Sequence, residues 1–363
     1  MYAWPYSSRM KFAKHRYHNP APPPIPWVTE AFFDFWSTRF HPLWTMRRPL
    51  ARLVSRRAEG SASVTVTLQP NRHFTGLLPG QHVSLTVEVD GRMTTRSYSP
   101  TVLADGRLEI TVKLVRGGKV SAWLAGGMPI GATLGISPAF GDMTVDPADS
   151  TPLLLLAAGS GITPMRALLR QLDAAGMPVT VDLVYWVRQR SEQCFADELA
   201  ALAARHAGFR LHLAVTGDGS APRIGQYDLS AIEGLGGRRV LACGPAGFAE
   251  AARLRLAAQV AGFQAEAFSL PELPDTETGE VDLTLSRSGR TLRVPRGTPL
   301  LAALEAQGIN PPAGCRMGVC NTCACEKGEG IVRNTLNGER SAEPSTRIKL
   351  CVNSASTDLI LEL

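Results

Sequence analysis

Residues 314–325, GCRMGVCNTCAC, decide the last part of this fold, because they place three cysteines at a spacing that few folds use. Cys315, Cys320 and Cys323 form the pattern Cys-x4-Cys-x2-Cys, and Cys351 follows at a distance. Four thiolates at this spacing are typical of a 2Fe–2S cluster, in which each of the two irons takes two protein ligands. The segment is therefore predicted to hold a cluster whose chemistry is the transfer of single electrons.

Two other interpretations of these cysteines are weaker. Zinc sites usually combine two Cys-x2-Cys pairs or pairs of cysteine and histidine, and only Cys320 and Cys323 form such a pair here. Disulfide bonds are not expected in a chain that carries no secretory signal. Cys325 competes with Cys351 for the place of fourth ligand. The spacing favours Cys351, and Cys325 is then a small buried residue.

The length and composition predict a soluble chain of several domains. At 363 residues and 39.0 kDa the chain is too long for one ordinary core, so two or three domains are expected. Hydrophobic residues make up 44% and charged residues 19%, as in globular proteins, and no apolar run is long enough to span a membrane. The first residues lack the apolar stretch of a signal peptide, so the cysteines are expected in a reducing cytoplasm.

The formal charge of +6 is unevenly spread, and much of it lies in a predicted N-terminal extension over residues 1–48. Residues 9–57 contain many lysines and arginines, but Glu30 and Asp34 are their only acids, and aromatic residues crowd the stretch 31–44. Such a segment suits peripheral contact with an anionic membrane, at its inner face, or with an acidic partner. We favour the simpler interpretation that its aromatic side chains pack against the next domain. No nucleic-acid motif accompanies the charge, so no nucleic-acid partner is expected.

The first half of the chain shows the alternation of apolar and polar residues that is typical of β-strands. The segments SVTVTLQP (63–70), HVSLTVEV (82–89) and LEITVKLV (108–115) alternate in this way and are separated by Gly and Asp turns. We therefore predict an antiparallel β-barrel or β-sandwich over residues 49–148.

After the barrel the pattern changes to strands that alternate with helices. The apolar segment 153–158 is a fully buried strand in this scheme, and further strands and helices follow it. This order predicts an α/β domain over residues 149–269, with a parallel sheet covered by helices on both faces. Residues 270–279 have the composition of a linker, and residues 280–363 begin with a predicted hairpin and helix before the cysteines.

Two glycine-rich turns follow predicted parallel strands. In AAGSGITPM, Gly159 and Gly161 precede a helix, for which Thr163 is the expected cap and Pro164 the first residue. The free N–H groups of a helix N-terminus suit a pyrophosphate. The second turn, CGPAGF (243–248), stands at the carboxyl end of another strand, where open α/β sheets bind ligands.

The barrel region contributes two further candidate segments. TRSYSP places Arg96, Tyr98 and Ser99 at the end of a strand, where arginine can hold a phosphate and tyrosine can stack on an aromatic ring. RGGKVSAWL places Gly118 and Ser121 at the start of a short predicted helix, which again suits a phosphate. Strand-end pairs of arginine and tyrosine are also common structural features. These segments therefore indicate a function only together with the other motifs and their order along the chain.

In that order, RSYS, GGKVS, GSGITPM, CGPAGF and the cysteine segment resemble the ferredoxin–NADP⁺ reductase superfamily. The likeness is to three-module reductases with a flavin domain, a pyridine-nucleotide domain and a C-terminal ferredoxin, and it covers nearly everything after Pro42. It implies a β-barrel flavin domain, an α/β nucleotide domain with a parallel sheet, and a C-terminal β-grasp ferredoxin domain. The segments CRMGVCNTC and GIVRNTLNGERSAEP are most similar to the electron-transfer partners of acyl-CoA desaturases of the stearoyl-CoA type.

The resemblance implies a role for each residue of these motifs. The residues implied at the flavin are Arg96, Ser97, Tyr98, Ser99, Lys113, Gly118, Ser121, Glu266 and Phe268. The residues implied at the nucleotide are Gly159, Gly161, Thr163, Arg188, Arg190, Cys243, Gly244 and Pro245. The implied catalytic residues are Ser99, near the flavin N5 atom, and Cys243, beside the nicotinamide. The implied cluster ligands are Cys315, Cys320, Cys323 and Cys351, and Asn321 stands where the family more often has glycine.

The implied cofactors are FAD, a 2Fe–2S cluster and NADPH. Relatives of the phthalate dioxygenase reductase type hold FMN, whereas those that serve desaturases and epoxidases hold FAD, so FAD is expected here over FMN. Arg188, Arg190 and Ser191 follow a predicted strand at the place where the adenosine ribose would lie, and cationic side chains there suit a 2′-phosphate. NADPH is therefore expected over NADH, chiefly on the strength of Arg190 and Ser191.

The implied activity is electron transfer from NADPH through FAD and the 2Fe–2S cluster to an external acceptor. The resemblance points to a membrane di-iron fatty acyl desaturase as this redox partner. The main alternative is the reductase of a soluble oxygenase, of the ring-hydroxylating dioxygenase or phenylacetyl-CoA epoxidase type. Two further alternatives are a redox carrier or sensor that no longer turns over, and a zinc-stabilised binding protein.

Overall fold

The computed structural model describes residues 29–89, 92–115, 118–268 and 277–363. Most of the predicted N-terminal extension and of the predicted linker lies outside the described residues. The α-helices are α1 (Glu30–Phe40), α2 (Lys119–Ala122), α3 (Ile162–Ala174), α4 (Ala196–Arg205), α5 (Ala246–Leu256) and α6 (Leu300–Ala306). The strands are β1 (Leu50–Glu59), β2 (Ser63–Pro70), β3 (Val83–Val89), β4 (Arg92–Tyr98), β5 (Thr101–Val102), β6 (Leu108–Lys113), β7 (Thr133–Ile136), β8 (Leu153–Ala158), β9 (Val181–Val187), β10 (Phe209–Val215), β11 (Arg239–Gly244), β12 (Gly262–Ala267), β13 (Glu280–Leu285), β14 (Arg290–Pro295), β15 (Ala324–Lys327), β16 (Val332–Asn334), β17 (Arg340–Ser341), β18 (Thr346–Lys349), β19 (Asn353–Ala355) and β20 (Leu359–Leu361).

The first sheet has seven antiparallel strands in the order β4-β3-β7-β1-β2-β6-β5. The alternation that predicts these strands also selects their core: Val66 and Leu68 on β2, with Ile110 and Val112 on β6, are buried together. The short helix α2 lies against β3 and β4. The predicted antiparallel barrel is confirmed, in the form of a half-barrel.

The second sheet has five parallel strands in the order β10-β9-β8-β11-β12. Successive residues of β8 pack on opposite faces, since Leu155 belongs to the core with α3 and α4 and Leu154 to the core with α5. Because both faces are covered, β8 is apolar at every position, as the parallel-sheet prediction requires. The strand order reverses between β8 and β11, so the loops after these two strands border the crevice where this fold binds ligands.

The C-terminal module contains a five-stranded sheet, ordered β14-β13-β20-β15-β18, and a three-stranded sheet, ordered β17-β16-β19. Strands β13 and β14 form the predicted hairpin. Leu300 and Leu304 of α6 are buried in one core with Cys323 and Cys351, so the cysteine loop rests on the packed part of the module. The predicted C-terminal ferredoxin-type domain is confirmed.

A buried arginine joins the barrel to the parallel sheet. Arg166 on α3 is 4% exposed, and its guanidinium lies 2.8 Å from Glu109 on β6 and 2.8 Å from Glu198 on α4. The guanidinium carbon also lies 4.3 Å from the ring centroid of Phe195. The carboxylate of Glu59, on β1, accepts a hydrogen bond of 2.7 Å from the Phe195 backbone N–H. Because a buried charge is stable only with such partners, these contacts fix the two sheets relative to each other.

Helix α3 begins earlier than the sequence pattern predicts. A 3₁₀ turn over Gly159–Gly161 leads directly into α3 at Ile162, so Pro164 is the third helical residue and not the first. Thr163 is not the cap, because its hydroxyl donates a hydrogen bond of 3.0 Å to the Ser160 carbonyl from within the first turn. The glycine turn lets the chain wind early, and proline is tolerated there because N–H groups of the first turn have no helical acceptor.

Helix α1 turns its polar side toward the protein. Asp34 and Ser37 are buried, whereas Phe32, Trp36 and Phe40 are about half exposed or more. The expectation that the aromatic side chains of this region pack against the next domain is therefore wrong for this helix. Asp34 and Ser37 occupy the inward side because they form hydrogen bonds with the segment that follows the helix. No helix within the described ranges is both long and apolar enough to cross a membrane.

Candidate functional site

One cavity of about 1340 Å³ lies where the three modules meet. The barrel contributes to its wall His82, Arg96, Ser97, Tyr98, Ser99, Lys113, Gly118, Lys119, Ser121 and Phe140. The parallel sheet and its helices contribute Ser160, Thr163, Cys243, Glu250, Arg253, Glu266 and Phe268. The C-terminal module contributes Met317, Val319, Leu336 and Asn337. This space is larger than most single-ligand pockets, so it has room for a flavin and for part of a second ligand.

The end of β4 forms the barrel wall of the cavity. Arg96, Ser97, Tyr98 and Ser99 all line it, as predicted. Burial raises the pKa of Tyr98 to about 12, so its phenol stays neutral and can donate a hydrogen bond. Burial, and then the positive charge of Arg316, lower the pKa of Arg96, although a guanidinium stays protonated in proteins. The wall offers a cation, an aromatic ring and two hydroxyls, which is a set that fits a flavin and its phosphate.

A glycine keeps the backbone accessible beside this wall. A Cβ at Gly118 would lie 2.4 Å from the Ser121 hydroxyl oxygen, which itself donates a hydrogen bond of 3.1 Å to the Gly118 carbonyl. Both residues and Lys119 line the cavity. Lys113 lines it as well, but its ammonium is paired with Glu192 at 2.9 Å. The backbone at Gly118 is bare, and the ammonium of Lys119 forms no ion pair with the described residues. Both groups fit a phosphate group of the flavin cofactor.

A hydrogen-bonded chain runs from the barrel wall to the parallel sheet. The Ser99 hydroxyl and Nδ1 of His82 are 2.7 Å apart, and Nε2 of His82 contacts the carboxylate of Glu266. Glu266 on β12 lies opposite Cys243 on β11, so this chain of hydrogen bonds ends beside Cys243, the second predicted catalytic residue. Because hydroxyl, imidazole and carboxylate can each give and take a proton, the chain can move a proton between the cavity and Glu266.

His82 is absent from the set of residues predicted by the motifs. The signal that points to it is the register of the hairpin formed by β3 and β4, in which Val83 pairs with Tyr98. Continuing that antiparallel register by one residue places His82 opposite Ser99. The Asp-Gly dipeptide at 90–91 is a sequence signal for a two-residue turn, from which this register follows.

The glycines of the two predicted nucleotide turns are packing residues. A Cβ at Gly161 would lie 2.0 Å from the Cys243 carbonyl oxygen, and one at Gly244 would lie 2.6 Å from the phenylalanine ring of α5. Gly159 has a φ of +56°, in the left-handed region that glycine adopts freely. These three glycines and Pro245 shape the crevice, while the cavity wall itself is formed by their neighbours. The close approach of the two turns defines the end of the crevice.

Cys243 lines the cavity but is not an activated nucleophile. Burial, together with the neighbouring carboxylate of Glu266, raises the pKa of its thiol. Thr163 and Phe268 line the same side of the cavity. Cys243 therefore presents a small neutral side chain to any ring bound between the barrel and the sheet.

Arg188 and Arg190 lie outside the lining of this cavity. Both are exposed just beyond the carboxyl end of β9, where the sequence predicts the adenosine ribose to lie. The Ser220 backbone N–H and, more weakly, the charge of Arg190 lower the pKa of Asp218. Arg190 is thus near one carboxylate but remains exposed to an incoming anion.

The segment after Arg190 is fastened to the barrel. The Ser191 carbonyl accepts a hydrogen bond of 2.7 Å from the Ser61 backbone N–H, and the two hydroxyls are 3.2 Å apart. Glu192 adds its ion pair with Lys113 of β6. Ser191, which the sequence assigns to a 2′-phosphate, is therefore engaged in the contact between modules.

The four predicted cluster ligands form two pairs. The Cys315 and Cys320 side chains are hydrogen-bonded to each other, and so are the Cys323 and Cys351 side chains. This contact lowers the pKa of Cys320 and of Cys323 and raises the pKa of their partners. Across the described ranges, no three such ligands gather around a single point. Two pairs fit a cluster with two irons, each of which takes two thiolates.

Backbone N–H groups surround the first pair of sulfurs. The N–H groups of Met317, Val319 and Cys320 lie 3.4, 3.4 and 3.3 Å from the sulfur of Cys315. The Thr322 hydroxyl lies 3.1 Å from the sulfur of Cys320. Such donors stabilise the negative charge of ligating thiolates, so the loop is preorganised for a cluster.

The cysteine loop needs three residues in the left-handed region. Arg316, Gly318 and Asn321 have φ angles of +60°, +77° and +59°. Asparagine is one of the few residues with a side chain that adopts this conformation readily, which explains how Asn321 replaces the commoner glycine. At Gly318 a Cβ would lie 3.0 Å from the side chain of Val352, so glycine is required there for space as well.

The Cys325 thiol contacts a backbone carbonyl, whereas the Cys351 thiol is paired with that of Cys323. Cys325 lies on β15, opposite Ile348 of β18, and belongs to the core of the module. Its thiol lies 3.4 Å from the Glu326 carbonyl, and burial raises its pKa. This geometry favours Cys351 over Cys325 as the fourth ligand.

The cysteine loop adjoins the flavin wall. The two terminal nitrogens of Arg316 lie 2.7 and 2.5 Å from the carboxylate of Glu305, and the same guanidinium is close enough to Arg96 to lower its pKa. Met317 and Val319, between the first two cysteines, line the cavity. The pairs of sulfurs therefore stand directly behind the wall that fits a flavin.

Comparison with known proteins agrees with this arrangement. Three family models match the chain: an oxidoreductase FAD-binding domain over residues 54–144, an oxidoreductase NAD-binding domain over residues 155–254 and a 2Fe-2S iron-sulfur cluster binding domain over residues 283–353. An NADPH oxidoreductase of Mycobacterium tuberculosis is 33% identical over 89% of this chain and 86% of its own length. The reductase subunit of a glycine betaine monooxygenase of Pseudomonas aeruginosa is 28% identical over 78% of this chain and 86% of its own length. The solved structure of phthalate dioxygenase reductase superposes with a TM-score of 0.60 at 24% identity, covering 86% of this chain and 97% of that one.

The fold and the site define a three-module oxidoreductase that combines flavin, pyridine nucleotide and iron–sulfur domains. The chain belongs to the ferredoxin–NADP⁺ reductase superfamily. Its cofactors are FAD, a 2Fe–2S cluster and a pyridine nucleotide, and electrons pass from the nucleotide through FAD to the cluster.

The identity of the fourth cluster ligand can be tested with two serine variants. Cys351→Ser should abolish the visible and electron paramagnetic resonance signals of the cluster, because one iron loses a thiolate. Reduction of ferricyanide by NADPH should stay within about twofold of the wild-type rate, since the flavin site is separate. Cys325→Ser is the matched control and should keep the cluster spectrum. A bleached Cys325→Ser protein would show that the fourth ligand is misassigned.

The role of His82 can be tested by the reduction of ferricyanide, a reaction of the flavin that does not require the cluster. His82→Leu breaks the chain from Ser99 to Glu266 and should slow ferricyanide reduction by about tenfold or more, with a changed pH profile. His206→Leu is the matched control, because His206 contacts Asp173 at 2.7 Å and is similarly shielded but lies away from the cavity. Equal rates in both variants would rule out a proton path through His82.

Proposed function

We propose that this chain is the reductase component of an oxygenase system, which takes electrons from NADPH and delivers them singly to a separate soluble oxygenase. The observation that carries the proposal is the position of the cysteine loop. Met317, on its inner side, borders the cavity, while Asn321 and Thr322, on its outer side, are exposed. A cluster in this loop would have the flavin behind it and a surface for a partner protein in front.

The class of partner follows from the relatives. The Pseudomonas aeruginosa relative is the reductase subunit of a monooxygenase, and its similarity to this chain extends over 86% of its length. The membrane desaturase implied by the cysteine segment gains no comparable support from the relatives. The reductase of a soluble oxygenase, the alternative from the sequence, is therefore the function that we propose.

Different side chains around the cavity would contact different parts of the flavin. When bound, FAD accepts a hydride from the nucleotide and releases electrons one at a time to the cluster. Arg96 would hold the phosphate, and Tyr98 would pack on the ring with its phenol neutral. Ser99 would hydrogen-bond the flavin N5 atom and exchange a proton with His82 and Glu266.

Three neutral side chains lie on the nucleotide side of the cavity. Thr163, Cys243 and Phe268 bound the space in which a nicotinamide would stack on the flavin ring. The buried thiol of Cys243 keeps its proton, so it adds no charge next to a reacting hydride. This side of the site positions the ring and excludes water, which is how a hydride donor is protected from side reactions.

The preference for NADPH is a proposal that depends on Arg190. Its guanidinium is exposed beyond β9, where a free cation can bind a 2′-phosphate with two hydrogen bonds. Arg188 lies at the same strand end and adds positive charge. Ser191 is not part of the proposed 2′-phosphate site, because its backbone carbonyl and its hydroxyl contact Ser61.

Arg190→Ala tests this preference. The KM for NADPH should rise by about tenfold, the equivalent of one lost charge-assisted contact, while the KM for NADH changes little. Arg205→Ala is the matched control, since Arg205 is an exposed arginine on α4 that pairs with Asp173. Steady-state kinetics with both nucleotides gives the answer. A parallel rise in both KM values would contradict a role at the 2′-phosphate.

The class of acceptor can be tested with extracts of the cells that make the protein. Holoenzyme and NADPH are added to the soluble and the membrane fractions, and oxygen-dependent oxidation of NADPH is measured. The soluble fraction should stimulate oxidation, and the Cys351→Ser variant should fail to do so because it cannot pass electrons through the cluster. Stimulation by the membrane fraction alone would contradict a soluble oxygenase and restore the desaturase.

A further inference from the structure

Helix α1 is attached to the protein through its polar side chains. The carboxylate of Asp34 accepts hydrogen bonds of 2.7 Å from the Met46 backbone N–H and 2.6 Å from Nε of Arg48. The Ser37 hydroxyl donates a hydrogen bond of 2.8 Å to the Trp44 carbonyl. Asp34 and Ser37 are 4% and 8% exposed, so the inner side of the helix is polar and fully engaged. This is the reverse of an ordinary surface helix, which buries its apolar side.

The outer side of this helix and the turn after it form a continuous aromatic surface. We define the aromatic face as Phe32, Phe35, Trp36, Phe40 and Trp44, which are 57%, 53%, 48%, 80% and 58% exposed. Trp36 contacts two of the other rings, since its centroid lies 5.3 Å from that of Phe35 and 6.5 Å from that of Phe32. Single exposed hydrophobic residues are ordinary, but five aromatic side chains within thirteen residues form a patch of the kind that marks an interaction surface.

Cations border the aromatic face. The guanidinium of Arg39 lies 4.3 Å from the ring centroid of Phe35, and Arg47 and Arg72 are also exposed beside the helix. A groove of about 410 Å³, lined by Trp44 and Arg72 among others, runs along the same side of the barrel. The sequence of residues 1–28 adds four lysines and arginines and no acid. Among the described residues, Arg39, Arg47 and Arg72 therefore give the face a positively charged border.

We propose that the aromatic face is a docking surface for an anionic lipid bilayer. Phenylalanine and tryptophan partition to the boundary between headgroups and acyl chains, and arginines at the rim of the face bind lipid phosphates. The helix has eleven residues, which is too few to cross a bilayer, so it lies along the membrane surface. The proposal does not depend on which oxygenase accepts the electrons.

Charge favours a bilayer over a second copy of this chain and over residues 1–28 as the occupant of the face. A second copy of this chain would bring two sets of arginines together, and the basic residues 1–28 would add to the positive charge instead of neutralising it. An anionic bilayer instead supplies the missing negative charge along with an apolar layer for the rings. It is the occupant that matches both the aromatic and the cationic parts of the surface.

Vesicle binding by the full-length holoprotein tests the proposal. Sedimentation is measured with vesicles of phosphatidylcholine alone and with vesicles that also contain phosphatidylglycerol, at low and at high salt. The protein should bind the anionic vesicles, and binding should weaken as salt shortens the range of the charges. The double variant Phe35→Ser/Trp36→Ser should lower the partition coefficient by about tenfold or more, because two rings no longer enter the bilayer. Both proteins should reduce ferricyanide at the same rate, which shows that the variant is folded.

Leu254→Ser is the matched control, since Leu254 is 72% exposed on α5 and lies outside the aromatic face. It should bind vesicles as the wild type does. Failure of the wild type to bind anionic vesicles, or an equal loss in the control, overturns the proposal. Sedimentation velocity of the same variants identifies a second copy as the occupant if the double variant alone dissociates a dimer, and that result also overturns it. None of these outcomes bears on the partner that receives the electrons.

Discussion

Arg166 carries a charge that cannot stay buried without partners, and its partners belong to different modules. Glu109 comes from the barrel, Glu198 from the parallel-sheet domain, and the Phe195 ring closes the remaining side. Removing one member of such a group leaves an uncompensated charge, at a cost of about 3–5 kcal/mol. Because β6 and α3 are held at this point, the end of β6 meets the turn that precedes α3, and the cavity has two fixed walls. This contact therefore fixes how the barrel wall of the cavity faces the wall formed by the parallel-sheet domain.

The proton path and the electron path leave the same cavity in different directions. Ser99, His82 and Glu266 lead from the barrel wall toward the parallel sheet, whereas Met317 and the cysteine pairs stand on the side of the C-terminal module. His82 and Glu266 belong to different modules and lie 184 residues apart in the sequence, so the path exists only when the two sheets are in contact. Coupled transfer thus depends on the packing of the modules and not on one local motif.

Local patterns predicted the antiparallel sheet, the parallel sheet and the hairpin of β13 and β14, and they singled out several residues that line the cavity. Alternation gave β2 and β6, a continuous apolar run gave β8, and cysteine spacing gave the loop with its two pairs of sulfurs. What local patterns missed depends on contacts between distant residues. His82 is recognised as part of the site only through its contact with Glu266. Ser191 forms hydrogen bonds with Ser61 and is not available to a 2′-phosphate. Thr163 is not the helix cap, because the glycine turn before it is already a 3₁₀ turn that continues into α3. The aromatic residues of α1 were expected inside the protein, but Asp34 and Ser37 find better hydrogen-bond partners there than any aromatic ring could.

The fastening of Ser191 and Glu192 to the barrel has a consequence for protein engineering. In sheets of this kind the loop after the second strand approaches the adenosine ribose, and in this chain it holds Arg190, to which we assign the proposed coenzyme preference. Here that loop also carries the hydrogen bonds to Ser61 and the ion pair to Lys113. A grafted loop would therefore exchange coenzyme selectivity and module alignment together, and only substitutions confined to Arg188 and Arg190 would separate the two.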